Sequence, residues 1–112
     1  MSGLEFENII DSLFCKMGYK TKITQQTGDQ GIDVIATKNG IIIGIQAKCY
    51  TNKVGNAAVQ EAVAGKGYYS CDKVMVITNN YFTSSAKALA QSNNVVLWDR
   101  DFLKIKIKEV FS

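Results

Sequence analysis

Two strand-like segments joined by Asn39-Gly40 constrain the fold of this chain more than any other part of its sequence. The first segment reads GIDVIATK (31–38) and the second reads IIIGIQAKCY (41–50). β-Branched residues favour strands, and Asn-Gly is a preferred dipeptide for a two-residue hairpin turn, because both central residues of that turn need a positive φ. The sequence therefore predicts a β-hairpin with its turn at Asn39-Gly40.

Three polar residues interrupt these apolar segments. Pairing outward from the turn places Asp33 directly opposite Gln46, and Lys48, two residues further on, points to the same face. Polar groups buried without partners cost roughly 1–3 kcal/mol each, so a purely structural sheet gains nothing from them. The alternate positions predict one apolar face packed against a helix: Ile32, Val34, Ala36, Ile41, Ile43, Ile45, Ala47 and Cys49.

Signals along the rest of the chain predict an α/β fold with a mixed β-sheet flanked by helices, in the order α-β-β-β-α-β-α-β. Ser2 and Glu5 fit a capping box ahead of a first helix, and Gly18 ends that helix. The later predicted elements are an edge strand at 19–25, a helix from about Asn56 to Lys66 that stops at Gly65 or Gly67, a buried strand at 73–78, a helix at 83–91 capped by Thr83 or Ser84, and a strand at 95–98. The tail, DFLKIKIKEVF, alternates like a strand but also fits a helix, and we favour a short helix.

Composition narrows the class of protein and its chemistry. The 112 residues contain no proline and no repeat, which predicts a single domain over residues 1–112. No apolar stretch is long enough to span a membrane and no secretion signal is present, so we expect a cytoplasmic protein. The widely spaced Cys15, Cys49 and Cys71 indicate reduced thiols rather than a disulfide or zinc framework. Histidine is absent, which excludes hydrolases and metal sites that depend on it.

The polar residues of the hairpin predict a site for a hard divalent cation. Mg²⁺ prefers oxygen ligands, binds one or two carboxylates and keeps several waters. Asp33, the side-chain oxygen of Gln46 and the backbone carbonyl of Ala47 supply such ligands, and Glu7, at the border of the first helix's apolar arc, could join through water. Lys48 could hold or deprotonate an attacking water and stabilise a phosphorane-like transition state. The set predicts phosphodiester hydrolysis with Mg²⁺ or Mn²⁺ and without a small-molecule cofactor.

The same residues resemble the catalytic signature of the Mrr-type restriction endonuclease-like domain, within the PD-(D/E)xK nuclease superfamily. The resemblance is carried by Phe6-Glu7, by Gly28-Asp29-Gln30-Gly31-Ile32-Asp33, by Gln46-Ala47-Lys48 and, downstream, by VITNNYFTSSAKALA. It covers roughly residues 3 to 103 and implies a restriction-endonuclease-like fold and Mg²⁺-dependent cleavage of DNA. The superfamily more commonly has an acid at position 46; Gln46 agrees with the Mrr branch and carries no negative charge.

Several interpretations stay open at the level of the sequence. Asp29 is either a supporting site residue or a turn residue, and Asp33 is either a site residue or a turn residue. Glu7 is either a site residue or a solvated helix residue, and Lys48 is either a site residue or an edge-strand lysine. The favoured function is that of an endodeoxyribonuclease. The alternatives are a Holliday-junction-resolvase-like, structure-specific nuclease and a non-catalytic DNA-binding or assembly module with the same fold. A net charge of +3 is compatible with DNA as partner, and a homodimer would let two sites cut both strands.

Overall fold

The computed structural model describes residues 1–24 and 31–112, so Gly28 and Asp29 of the sequence signature lie outside the described residues. Within those ranges four helices and five strands follow the predicted order, and the tail adds the last helix. The elements are α1 (Gly3–Lys16), β1 (Lys20–Ile23), β2 (Val34–Lys38), β3 (Ile41–Lys48), α2 (Asn56–Tyr68), β4 (Lys73–Thr78), α3 (Ser84–Ser92), β5 (Val96–Trp98) and α4 (Arg100–Phe111). The predicted α/β class and the favoured helical tail are both confirmed.

The strands form one mixed sheet in the order β1-β2-β3-β4-β5. β1, β2 and β3 pair antiparallel, whereas β3, β4 and β5 pair parallel. Each parallel pair needs a crossover connection, and α2 and α3 supply the two crossovers. The central strand β3 thus separates an antiparallel half of the sheet from a parallel half.

The hairpin turn lies where the sequence predicts it. Asn39 and Gly40 have φ values of 53° and 79°, and Lys38 pairs with Ile41 directly across the turn. A turn of this kind matches the natural twist of the two strands, and it fixes their register.

The register changes at the other end of the hairpin, next to Asp33. The ladder's last pair is Val34 with Ile45, and the Asp33 N–H also donates to the Ile45 carbonyl, at 2.8 Å. Two residues of one strand thus face one residue of the other, as in a β-bulge. The prediction that Asp33 lies directly opposite Gln46 is therefore wrong. The same irregularity moves Ile32 to the face of the sheet opposite Val34, against expectation.

Helices cover both faces of the sheet, so the expected contrast between one apolar and one polar face is also wrong. On one side α1 and α4 contribute to a core of Phe6, Ile10, Leu13, Phe14, Val34, Ala36, Ile45, Met75, Ile77 and Leu103. On the other side α2 and α3 contribute to a core that includes Ile32, Val54, Val59, Ala62, Val74, Val76, Ala86 and Ala90. Each large side chain fully buried in this way contributes about 1.5–3 kcal/mol. Among the described residues, the buried polar ones are Glu7, Thr24, Gln46 and Thr78.

The first and last helices begin with side-chain caps. Ser2 accepts the Glu5 N–H at 3.1 Å and Glu5 accepts the Ser2 N–H at 2.9 Å, which confirms the capping box. Gly18, with φ of 96°, follows the end of α1. Asp99 caps α4 by accepting the Phe102 N–H at 3.0 Å. In the part of the chain that the structure describes, no helix is both long and apolar enough to cross a membrane.

The second helix continues past both glycines that were expected to end it. Gly65 is buried on the packed face of α2, and the helix runs through Gly67 to Tyr68. Ser70 then takes up the left-handed conformation, with φ of 55°. A glycine ends a helix only where the chain needs that conformation, and here the serine provides it.

Candidate active site

A polar cleft of ≈ 290 Å³ opens beside the N-terminal end of β2, next to β3 and the helices α1 and α2. Its chemistry comes from the side chains of Glu7, Asp33, Gln46, Lys48, Tyr50 and Glu61 and from the backbone of Ala47. The structure thus brings together every sequence-predicted site residue that it describes. Asp29 lies outside the described residues.

Asp33 is anchored across the open end of the hairpin. Its Oδ2 accepts the Ala47 backbone N–H at 2.8 Å, so the carboxylate bridges to β3 just beyond the last strand pair. The N–H and C=O of one strand residue point to the same neighbouring strand. The Ala47 carbonyl therefore faces the same side of β3 as the Asp33 carboxylate, at a position beyond the N-terminal end of β2.

Gln46 and Lys48 both contact one oxygen of Glu61. Gln46 is only 2% exposed, and its Nε2 donates to Glu61 Oε2 at 3.1 Å. The Lys48 ammonium lies 3.3 Å from the same oxygen and 5.4 Å from the centre of the Tyr50 ring. A carboxylate only accepts hydrogen bonds, so the amide nitrogen of Gln46 must face Glu61 and the amide oxygen is turned away from it.

The charge on Lys48 is favoured by its surroundings. Burial works to lower the pKa of the Lys48 amine, but its contacts with Tyr50 and with the Glu61 carboxylate outweigh burial and raise that pKa above its ordinary value. Lys48 is therefore protonated at neutral pH. In this arrangement it is a cation and a hydrogen-bond donor rather than a base.

Glu7 reaches the cleft from α1. The Glu7 residue is 7% exposed, and it lies beside the buried apolar residues Phe6 and Ile10 of the same helix. The expectation that Glu7 lies at the border of the apolar arc and enters the cleft agrees with this position. It brings a carboxyl group from the helix opposite α2.

Tyr50 and Glu61 are cleft residues that were not predicted from the sequence, and Glu61 is the charged one. It lies three residues after Ala58 and four before Gly65, both buried, so all three share one row of α2. That spacing is the signal that could have found it. The signal is weak because α2 carries Ala or Val on every side, and Val63 and Ala64 remain exposed, so the packed face cannot be identified from periodicity alone.

Gly31 explains how the segment before Asp33 can approach α2. Its φ is 76°, and a Cβ placed there would lie 2.0 Å from the backbone carbonyl oxygen of Glu61. Only glycine combines this conformation with this contact. The positive φ and the contact with Glu61 thus explain why position 31 of the sequence signature is a glycine.

The end of β4 holds the chain just after Lys48. Thr78, fully buried, donates its hydroxyl to the Lys48 carbonyl at 2.7 Å. Asn79 accepts the Tyr50 N–H at 2.8 Å, and the Asn80 amide donates to the Tyr50 carbonyl at 3.2 Å. The downstream segment of the sequence signature thus fixes the position of Lys48 and Tyr50.

The lining residues fit a hydrated divalent cation. Among residues 1–24 and 31–112, no three His, Cys, Asp or Glu side chains are grouped so that they could hold a metal ion by themselves. Mg²⁺ does not need such a group, because it usually binds one or two carboxylates and keeps several waters. Three carboxyl groups, an amide and a backbone carbonyl share the cleft with one amine, so hard oxygen donors predominate.

The sequence model of one protein family, Mrr_cat, described as a restriction endonuclease, matches residues 1–105. This chain belongs to the Mrr_cat restriction endonuclease family. No curated protein matches the chain. The cleft residues of this Mrr_cat chain all lie within the matched range.

Solved structures with a similar fold include two restriction endonucleases. A protein of unknown function, AF1548, superimposes with a TM-score of 0.80 at 17% identity and covers 92% of the Mrr_cat chain. The DNA modification-dependent restriction endonuclease AspBHI superimposes with a TM-score of 0.74 at 17% identity and covers 96% of the Mrr_cat chain. The MspJI restriction endonuclease in complex with a 27-mer oligonucleotide superimposes with a TM-score of 0.65 at 20% identity and covers 91% of the Mrr_cat chain. The Mrr_cat chain spans 64%, 31% and 27% of these three chains, respectively, and it has the restriction-endonuclease-like fold.

Proposed function

We propose that this Mrr_cat chain is a Mg²⁺- or Mn²⁺-dependent endodeoxyribonuclease that hydrolyses phosphodiester bonds in DNA. The observation that carries the proposal is the convergence of Asp33, Gln46 and Lys48 with Glu7 around one cleft. Family membership supports the nuclease class. The oligonucleotide bound to MspJI supports DNA as the partner.

The cation would be held by Asp33, the side-chain oxygen of Gln46 and the Ala47 carbonyl, with Glu7 reaching it through water. When bound, the cation supplies a Lewis acid that lowers the pKa of a water and offsets charge on the phosphate. The chain's own part is to fix these donors. Asp33 is oriented by the Ala47 N–H, and the Gln46 amide oxygen is turned away from Glu61.

Lys48 would bind a non-bridging oxygen of the scissile phosphate. Its ammonium, held charged beside Glu61, can donate to that oxygen and offset the negative charge that grows in the transition state. Tyr50 lies next to it, half exposed at 44%, and limits where the phosphate can approach. A preorganised cation of this kind needs no rearrangement during the reaction.

The excess of carboxyl groups over amines in the cleft supports a requirement for metal. Glu7, Asp33 and Glu61 line the same cleft as a single cationic side chain, Lys48. Such a lining disfavours a phosphodiester by itself, because like charges repel strongly where water is scarce. We therefore expect productive DNA binding at the cleft only with a divalent cation.

The test is a cleavage assay of the purified chain over a panel of linear duplex, branched, single-stranded and modified DNA, with Mg²⁺, with Mn²⁺ and with chelator. We expect cleavage of at least one substrate with metal and none in chelator. Undiminished cleavage in chelator would refute the metal requirement. A strong preference for branched DNA would favour the junction-resolving alternative, and binding without any cleavage would favour the non-catalytic module.

We also propose that the chain acts on duplex DNA as a homodimer. One cleft cuts one strand, and two copies related by a two-fold axis would place a cleft on each strand. Sedimentation of the chain with a duplex that it cleaves should show two copies on one DNA. Only monomers at tens of micromolar, with and without DNA, would contradict this expectation.

A further inference from the structure

We propose that Glu61 is a positioning residue of this site, in which a single carboxylate oxygen orients the Gln46 amide and anchors the Lys48 ammonium. The inference rests on the proposed nuclease function and adds a residue to the same cleft. Glu61 acts through its neighbours and need not touch the substrate.

The geometry of the shared oxygen carries the inference. Glu61 Oε2 lies 3.1 Å from Gln46 Nε2 and 3.3 Å from Lys48 Nζ. The two donors extend from β3 two residues apart, on the face that α2 covers, so the carboxylate lies between their tips. Neither side chain can move away from Glu61 without losing this contact.

The orientation of the Gln46 amide has a direct consequence for cation binding. An amide presents either an oxygen acceptor or two N–H donors, and the two orientations have almost the same shape. Only the oxygen can bind a cation. A carboxylate beside the nitrogen removes the ambiguity, because the reversed amide would place two acceptors against each other. Glu61 therefore selects the orientation that leaves the amide oxygen available.

Burial makes these contacts stronger than those of a surface ion pair. Gln46 is 2% exposed, and the Lys48 and Glu61 side chains are 16% and 36% exposed. A buried amide that lost its partner would incur the cost of desolvation, so the hydrogen bond to Glu61 is maintained. The pair is also held by the fold, because Gly31 packs directly on the Glu61 carbonyl.

The chain contains a matched control for this residue. Lys106 and Glu109 form a second ion pair, at 3.6 Å, on the exposed surface of α4 with side chains 32% and 60% exposed. Glu109→Gln removes the same charge from the same kind of pair without touching the cleft. Exposed pairs of this kind contribute little to stability.

The experiment measures Mn²⁺ binding by calorimetry in the absence of DNA, for the parent, Glu61→Gln and Glu109→Gln. Loss of a partner that orients a metal ligand typically costs about 10–100-fold in metal affinity. We expect a loss of that size for Glu61→Gln, together with a similar fall in single-turnover cleavage, and parental values for Glu109→Gln. Glu61→Asp keeps the charge on a shorter side chain, so it should lose less Mn²⁺ affinity than Glu61→Gln.

Thermal unfolding establishes which variants are folded. If Glu61→Gln is not folded, Glu61→Asp with Glu109→Asp as its control decides the question by the same Mn²⁺ measurement. Equal Mn²⁺ affinities for the folded Glu61 and Glu109 variants would overturn the proposal, as would a parent that binds no Mn²⁺. If the parent cleaves no DNA but the Glu61 variants still bind Mn²⁺ more weakly than their controls, the nuclease function fails and the positioning role of Glu61 stands.

Discussion

The two ends of the β2–β3 hairpin are built from similar parts, but only the end at Asp33 brings the predicted site residues together. At the cleft end, Asp33 accepts the Ala47 N–H at 2.8 Å. At the turn end, Asp72 accepts the Ile42 N–H, also at 2.8 Å. Each carboxylate binds the backbone of the same strand, β3, near one of its ends. This contact alone therefore does not distinguish a candidate site from a surface loop.

The lysines near the two ends are also alike in their immediate contacts. The Lys48 amine lies 5.4 Å from the centre of the Tyr50 ring, and the Lys38 amine lies 5.2 Å from that of Tyr19. Lys38, however, is exposed and donates to the Met17 carbonyl at 3.1 Å, whereas Lys48 is half-buried beside a carboxylate. The immediate ring contact is thus common to both lysines.

The two ends of the hairpin differ in whether a helix packs over them. α2 lies over the cleft end and brings Glu61 against Gln46 and Lys48, while the turn end lies at the surface. The comparison teaches that strand and turn chemistry provides the individual groups, but a second layer of structure is needed to orient them and restrict access of water. Substitutions paired between the two ends test this interpretation.

The largest difference between the two ends of the hairpin is expected for the two aspartates. Asp33→Asn keeps an oxygen that can accept the Ala47 N–H but removes the negative charge that the cation needs, so metal-dependent cleavage should fall below detection. Asp72→Asn makes the same change at the turn end and should leave the rate at the parental value. Single-turnover assays at saturating DNA measure both variants. Similar rates for the two variants would remove the distinction between the ends of the hairpin.

The next largest difference between the two ends is expected for the two lysines. Lys48→Ala should lower the single-turnover rate about 10²–10³-fold, as is typical when one preorganised electrostatic group is removed. DNA affinity should weaken modestly, with its salt dependence flattened by about one unit of slope if one phosphate contact is lost. Lys38→Ala should change neither the rate nor the affinity by a comparable amount. A Lys48→Ala variant that changes only DNA binding would favour the non-catalytic module.

The smallest of these effects concerns stability, and it sharpens the comparison at the two glycines. Gly40 has φ of 79° and open space where a Cβ would be, so Gly40→Ala should cost only the backbone strain, about 1–2 kcal/mol. Gly31 has nearly the same φ, 76°, but its Cβ would overlap the Glu61 carbonyl oxygen. Gly31→Ala should therefore destabilise the protein by more than Gly40→Ala in urea unfolding. Equal losses would mean that the segment before Asp33 can move away from α2 at little cost.

Much of this fold could be predicted because its signals are local. The Asn39-Gly40 turn depends on two residues that tolerate positive φ, and the capping box depends on the side chains of Ser2 and Glu5. Counting outward from that turn placed Gln46 and Lys48 on one face of β3, where both contact Glu61, although it misplaced Asp33 directly opposite Gln46. These features need no knowledge of which element packs on which.

The features that could not be predicted depend on tertiary packing. Alternation of side chains carries no sign of the bulge at Asp33, because the bulge is a choice of backbone hydrogen bond rather than of side chain. Ser70 replaces glycine in the left-handed position after α2 since the packed helix continues beyond Gly67. Glu61 was missed because its neighbours on α2 do not reveal which face is buried. In each case a local preference is overridden by contacts with a distant segment.

The edge strand β1 has a consequence for how copies of the chain can associate. β1 is four residues long, stands at one end of the sheet order, and carries exposed Lys20 and Lys22 on the same face. Short edge strands with lysines are a common protection against edge-to-edge aggregation, because joining two such edges would bring like charges together. Self-assembly by extension of the sheet through β1 is therefore disfavoured. A dimer that cuts duplex DNA would then use other surfaces, the helices or the opposite sheet edge at β5, which leaves the β1 edge free of the protein interface.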